Sequence, residues 1–249
     1  MLPCVILAGG LGTRMRPLTE RMPKALVPVL GVPFADWQLR HLAREGVERV
    51  VYSVGYRGQM VRDFVGDGSR FGLQVTWVDE GSRLRGTGGA LRLALDQGAL
   101  EEAFFVLYGD SYLPVSMREV DRAWRVSEAP ALMTVMRNDG RWDTSNAVFD
   151  GSRVVLYDKA RPEEWRTRMR WIDYGLSVLT RPVIAEGVDA GARADLADLL
   201  HDLSVTGRLA GLEVSERFYE AGSTSGLRDL EAYLSGTHPI PQPGERRRS

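Results

Sequence analysis

The sequence predicts an α/β fold: a Rossmann-like, mixed but mainly parallel sheet flanked by helices, in a single domain. Three observations lead there. The first half alternates short apolar runs with helical patterns, a βαβα rhythm that places strands parallel and helices on both faces. The first apolar run passes directly into a glycine-rich turn. The second half drops the alternation and reads as strands joined by turns, a mixed extension of the same sheet. At 249 residues, 44% hydrophobic and 26% charged, the chain has ample apolar content for one large core.

In order, the expected strands of the first half are Pro3–Ala8, Arg49–Val54, Leu73–Val78 and Phe104–Tyr108. The helices between them are Phe34–Glu45, Arg57–Val65, Thr87–Gln97 and Met117–Val126. The second half offers strands at Ala131–Arg137, Asn146–Phe149, Val154–Tyr157 and Ile172–Leu179, with Asp150-Gly151 as a hairpin signal. A helix at Leu196–Leu203, a strand at Leu209–Val214 and a helix at Ser223–Leu234 complete the domain, 1–235. From Gly236 the tail carries three prolines and a terminal Arg triplet and is expected to be disordered.

Composition removes several functions. A net charge of −1 gives no global field for nucleic acid or an anionic membrane, so any anion site must be local. No apolar run is long enough to span a bilayer, and no signal-peptide pattern is present, so a cytoplasmic protein is expected. The single Cys4 lies in the first apolar run and excludes an internal disulfide. His41, His201 and His238 lack metal-ligand spacing and are read as incidental to the chemistry. Nothing in the sequence sets the oligomeric state; a homodimer is the working expectation.

Gly9-Gly10-Leu11-Gly12-Thr13 follows the first apolar run, with Arg14, Arg16 and Lys24 after it. Glycines allow a tight turn that exposes successive N–H groups, a concavity suited to phosphate. Two familiar phosphate loops do not fit. The G-x-G-x-x-G dinucleotide fingerprint fails at Met15, and no G-x-x-x-x-G-K-[ST] string occurs. An ordinary glycine-rich turn is the plain alternative. Ligands of such sheets sit at the carboxyl ends of the strands, where both this loop and Gly109-Asp110 fall. A carboxylate there suits Mg²⁺, which takes one or two carboxylates plus substrate phosphates; Gly-Asp after a strand is also a common turn.

Leu7 to Arg14, continuing through Pro23-Lys24-Ala25-Leu26-Val27-Pro28-Val29, resembles the signature loop of sugar-1-phosphate nucleotidyltransferases, the nucleotide-sugar pyrophosphorylases. The likeness extends over roughly 3–235 and implies the nucleotide-diphospho-sugar transferase fold, with a nucleotide-binding half at 1–112 and a sugar-phosphate-binding half at 113–235. It implies nucleotide binding by Leu7, Ala8, Gly9, Gly10, Gly12, Thr13, Glu80, Gly86, Thr87, Gly88, Tyr108 and Gly109. Arg14 and Lys24 would stabilise charge on the reacting phosphates. Asp110 and Glu220 would hold Mg²⁺, though most of the family has aspartate where Glu220 stands. Lys159 would hold the sugar phosphate, with Asn146, Asp173 and Gly175 at the sugar hydroxyls. Read alone, Gly86–Gly89 also suits a helix-capping turn, Lys159 a surface ion pair, and Glu220 an exposed residue near a helix N-terminus.

The partners implied are a nucleoside triphosphate and a sugar 1-phosphate. Glu80 could accept from guanine N1–H and N2–H₂, which favours GTP, and the closest overall likeness is to short guanylyltransferases acting on heptose or mannose 1-phosphates. Uridylyl or thymidylyl transfer is the alternative, and a non-catalytic nucleotide-sugar-binding subunit is the alternative of another class. No room is expected for an appended β-helical acyltransferase.

Overall fold

The computed structural model describes residues 1–138, 141 and 144–237. Strand β1 (Cys4–Ala8) leads through three helical turns to a hairpin of β2 (Pro28–Val29) and β3 (Val32–Pro33), followed by α1 (Phe34–Arg44). Then come β4 (Arg49–Val54), α2 (Gly58–Val65), β5 (Gln74–Asp79), α3 (Gly86–Asp96), β6 (Ala103–Tyr108), β7 (Ser111–Tyr112) and α4 (Met117–Ser127). The second half comprises β8 (Ala131–Arg137), β9 (Ala147–Phe149), β10 (Val154–Tyr157), α5 (Glu163–Arg166), β11 (Trp171–Thr180), α6 (Arg181–Gly187), α7 (Leu196–Val205), β12 (Leu209–Val214), β13 (Tyr219–Glu220) and α8 (Thr224–Thr237).

Among the described residues nine strands form one sheet in the order β10-β9-β11-β6-β1-β4-β5, with β8 pairing both β11 and β12. The β6-β1-β4-β5 block is wholly parallel, and β11 joins it antiparallel through Leu176↔Leu107 to Thr180↔Ala103. One continuous sheet therefore runs through both halves of a single domain. Alternation along a strand sends successive side chains to opposite faces. In β1, Cys4 and Ile6 join the core under α1, α2 and α4, while Val5 and Leu7 join the core under α3, α6 and α7. All four are buried, and burial pushes the Cys4 thiol pKa up, as expected of an inert core cysteine.

The expected elements lie within a few residues of their observed bounds. Asp150 Oδ1 accepts from the N–H of Ser152 and of Arg153, closing the β9–β10 turn. Differences are confined to short pieces. The β2–β3 hairpin, the β7–β13 ribbon, α5 and α6 escape a periodicity reading because two to seven residues hold too little pattern. The last helix continues through Thr237, so Gly236 and Thr237 are helical rather than tail; the Arg triplet and His238 lie outside the described residues. His41 and His201 each bond a backbone carbonyl, of Leu113 at 2.7 Å and Tyr157 at 2.8 Å, which gives both a structural role.

Candidate active site

At the carboxyl ends of β1 and β6 lies a cleft of about 430 Å³. Of the residues singled out by sequence, Leu7, Ala8, Gly9, Gly10, Gly12, Thr13, Lys24, Glu80, Gly86, Thr87, Tyr108, Gly109 and Asp110 line it. Two strand ends that sequence rules placed on one edge thus share one wall.

The glycine loop is shaped by what a side chain would strike. A Cβ on Gly9 would run into Glu80 Oε1. Gly12 has φ +64°, and its Cβ would meet Lys24 Cγ at 2.9 Å and Thr19 Cγ2 at 3.0 Å. Buried Thr19 donates to the Gly12 carbonyl at 2.7 Å, pinning the turn. Among the described residues no acceptor takes the N–H of Gly10, Leu11 or Gly12, so these donors are available to an anion. Arg14 stands exposed on the helical turn Thr13–Met15, outside the cleft wall.

The charged centre is assembled by a two-residue ribbon. β13 pairs antiparallel with β7, matching Glu220 to Ser111, and the Ala221 N–H donates to the Asp110 carbonyl at 2.7 Å. That pairing carries Glu220 across 110 positions of sequence to Asp110. The core formed by α8, the hairpin and Trp37, with Leu230, Leu234, Val29 and Phe34, holds the ribbon in place. Lys24 Nζ donates to Asp110 Oδ2 at 2.7 Å. A Cβ on Gly222 would lie 3.1 Å from Asp110 Oδ2, 3.1 Å from Glu220 Oε2 and 3.4 Å from Lys24 Nζ, so the three charged groups face one point. Two convergent carboxylate oxygens are a hard donor set that fits Mg²⁺, with the remaining ligands left to phosphate and water. Among the described residues no group of three or more acidic, His or Cys side chains forms a fuller cage.

The turn at the start of α3 packs against residues 192–195. Gly88 and Gly89 N–H both donate to the Ala194 carbonyl, at 2.9 and 3.2 Å, and a Cβ on Gly86, which has φ +74°, would run into Ala194 O. These amides serve the protein and are not free for a base. Gly88 does not line the cleft. Thr87 Oγ1 donates to Asp195 Oδ1 at 2.9 Å and accepts from Leu196 N–H at 2.8 Å, joining α3 to α7. Asp195 Oδ1 also takes the Ala197 N–H and lies 3.9 Å from Lys159 Nζ, so Lys159, half exposed, stands beside Thr87.

Glu80 is held in place by the protein itself. Its Oε2 accepts from the Arg85 N–H at 2.8 Å, and its Oε1 packs on Gly9. Burial raises its pKa, partly offset by the Arg85 N–H. It braces the 80–85 loop against the glycine loop while still lining the cleft, and each carboxylate oxygen keeps a further acceptor site.

The second-half residues gather at a bulge in β11 between Asp173 and Ser177. Asn146 Oδ1 accepts from Asp173 N–H at 3.0 Å, and Asp173 Oδ1 accepts from Gly175 N–H at 2.9 Å, where Gly175 has φ +100°. Tyr157 donates to Asp173 Oδ2 at 3.4 Å. Burial raises the Asp173 pKa against the opposing pull of the Gly175 N–H and Lys159. Burial and then the charges of Asp173, Asp195 and Asp110 hold the hydroxyl of Tyr108, which lines the cleft, well above its usual range. Asn146, Lys159, Asp173, Gly175 and Glu220 thus flank the cleft without lining it. Sequence reasoning missed Arg193 and Leu84, which line it, and Gly222. Arg193 lies on an irregular loop with no pattern to mark it.

A family model described as Nucleotidyl transferase matches residues 4–145. The chain belongs to that family. This nucleotidyl transferase is 27% identical over 237 residues to N-acetylmuramate alpha-1-phosphate uridylyltransferase of Neisseria meningitidis, covering 93% of this chain and 97% of that one. It is also 27% identical over 184 residues to D-glycero-alpha-D-manno-heptose 1-phosphate guanylyltransferase of Campylobacter jejuni, covering 73% and 77%. Against longer relatives named for uridylyl, guanylyl and thymidylyl transfer, the chain spans about half their length or less. A solved structure of a putative glucose-1-phosphate thymidylyltransferase from Bacillus anthracis superposes with TM-score 0.80 at 20% identity, over 97% of this chain and 98% of that one, and shows the same fold. No helix among the described residues is long and apolar enough to cross a membrane.

Proposed function

We propose that this nucleotidyl transferase moves a nucleotidyl group from a nucleoside triphosphate to a sugar 1-phosphate. The observation that carries the reading is the meeting of Lys24, Asp110 and Glu220 at one point on the wall of a glycine-loop cleft. A phosphate oxygen of the sugar 1-phosphate attacks the α-phosphorus in line; the bond from that phosphorus to the bridging oxygen breaks, and pyrophosphate leaves with the electron pair. The nucleophile is already ionised at neutral pH, so positioning and charge stabilisation carry the catalysis.

Free amides at Gly10, Leu11 and Gly12 hold the triphosphate, and Lys24 bridges the α-phosphate and the incoming phosphate. Arg14, exposed at the loop, reaches the leaving phosphates. Lys159, beside Thr87, holds the sugar phosphate, with the Asn146–Asp173–Gly175 bulge at the sugar hydroxyls. Asp110 and Glu220 hold Mg²⁺, which when bound neutralises phosphate charge.

GTP with a heptose or mannose 1-phosphate is the first pair to test, supported by the guanylyltransferase relative. UTP is the second reading. The whole-length likeness to a uridylyltransferase favours it. The test is pyrophosphate release with Mg²⁺ for five nucleoside triphosphates crossed against glucose, mannose, N-acetylhexosamine, N-acetylmuramate and heptose 1-phosphates. One dominant pair identifies base and sugar. Silence throughout with nucleotide bound overturns the catalytic reading in favour of a nucleotide-sugar-binding subunit.

A further inference from the structure

Helix α1 sits behind the metal-side turn and takes no part in the cleft wall, yet it sends one side chain through the core to that turn. Gln38 is 1% exposed. Its Nε2 donates to the Tyr108 carbonyl at 2.9 Å and to the Ser111 carbonyl at 2.8 Å. These two carbonyls bracket Gly109-Asp110. Both partners are acceptors, so the amide can point only one way. Its Oε1 is buried with no hydrogen-bond partner, an arrangement that costs free energy and that an apolar residue would avoid.

Lys24 Nζ holds the Asp110 carboxylate itself at 2.7 Å, and the other ties on the turn are backbone. Gly109 N–H donates to Leu7 O at 2.9 Å and Ala221 N–H to Asp110 O at 2.7 Å. β6 has ended at Tyr108, and no ladder continues to fix the chain between it and β7. A turn of two residues between strand ends has freedom to tilt, and a tilt at Gly109 displaces the Asp110 carboxylate directly. Gln38 removes that freedom by holding both ends with one nitrogen. Helix α1 is itself anchored beside the same site, because Trp37 Nε1 donates to the Val29 carbonyl at 3.0 Å.

The geometry points to Gln38 as a positioning residue that sets the direction of the Asp110 carboxylate toward Lys24 and Glu220. This rests on the reading of Asp110 as a metal-side carboxylate. Groups behind the ligands of a metal site commonly cost 10–100-fold in metal affinity or activity when removed.

The test compares wild type with Gln38→Met, which keeps volume and loses both donors, and Gln38→Glu, which faces the carbonyls with acceptors unless protonated. Circular dichroism and thermal melting fix the folded fraction. Mn²⁺ binding is read by electron paramagnetic resonance, and kcat and nucleotide KM by pyrophosphate release. The expected result, per folded molecule, is a roughly 10–100-fold loss in kcat and a clear loss in Mn²⁺ affinity, with nucleotide KM within about threefold. Gln38→Glu is expected to recover part of its activity as pH falls and the acid regains one donor. If either folded variant keeps wild-type kcat and Mn²⁺ affinity, the role is overturned. Should wild type turn over no substrate, the functional reading fails, while the Mn²⁺ isotherms still decide the role of Gln38.

Discussion

Lys24 Nζ rests 2.7 Å from Asp110 Oδ2, a contact between residues 86 positions apart whose side chains are only 18% and 22% exposed. The glycine loop and the end of β6 are thereby joined by one charge-assisted bond at the cleft wall. Lys24 also packs its Cγ on Gly12. A single side chain therefore ties the glycine loop to the carboxylate at the end of β6.

Removing either partner is expected to be severe for chemistry. In the proposed reaction Lys24→Ala withdraws the cation at the reacting phosphates, and Asp110→Ala withdraws a carboxylate donor to the metal. Each should lower kcat by about 10²–10³-fold, the scale found when one preorganised group is lost at a developing charge. The measurement is steady-state pyrophosphate release with a circular-dichroism spectrum of each variant. Near-normal turnover in Asp110→Ala would remove the metal argument.

Gly222→Ala should also lower turnover while adding only one methyl. Its Cβ would meet Asp110 Oδ2 and Glu220 Oε2 at 3.1 Å and Lys24 Nζ at 3.4 Å. The two carboxylates must give by a few tenths of an ångström, while Lys24 Nζ stays in ordinary contact. The expected outcome is a fall in kcat of roughly 10-fold, below the about 10²-fold of a full ångström misplacement. The melting temperature should stay close to wild type, because the atoms that must give are the ends of flexible side chains rather than backbone. A melting scan beside turnover checks both parts.

How far the sequence reaches depends on the size of the pattern each feature leaves. Asp110 was legible because a buried run of six residues ends in Gly-Asp, and Arg49–Val54 because its composition and flanks agree. The approach of Glu220 to Asp110 was not, since it runs through a ribbon of two-residue strands with no period of their own. Resemblance to a family supplied the pairing that periodicity could not. Gln38 was hidden for a different reason: a glutamine within an amphipathic helix reads as solvent-facing, and only the strand end behind it shows why it is buried. Helix α6 did leave a signal, a proline in its first turn at Pro182. Glu80 was placed at the cleft by its position, but its hydrogen bond to Arg85 N–H belongs to loop geometry that no motif encodes.

Gly86→Ala tests the packing of the α3 turn separately from chemistry. The residue has φ +74°, a region an L side chain occupies at a cost, and its Cβ would press into the Ala194 carbonyl. That carbonyl also receives the Gly88 and Gly89 N–H groups, so the 192–195 segment cannot simply retreat. The expected loss is roughly 1–3 kcal/mol of stability, which at about 2–4 °C per kcal/mol is a visible fall in melting temperature. An unchanged melting temperature would show that the segment yields freely.

Asp173→Asn should stabilise the fold at neutral pH. Burial holds the Asp173 carboxyl above its ordinary value of 3.8, against the Gly175 N–H, Lys159 and the Tyr157 hydroxyl. A raised pKa means the folded protein binds this proton more tightly than the unfolded chain. Stability from this group therefore falls as pH rises from the ordinary value through the raised one, and stays lowered above it. Asparagine keeps an acceptor for the Gly175 N–H and can donate to the Tyr157 hydroxyl, but carries no charge to desolvate. The variant should exceed wild type in stability at about pH 8, with the gap closing toward about pH 4. Glu80, whose pKa burial also raises, contributes the same slope to both proteins and cancels in the difference. Urea denaturation of the two proteins across that range reads the gap directly; a gap independent of pH would mean that the Asp173 charge is not what burial opposes.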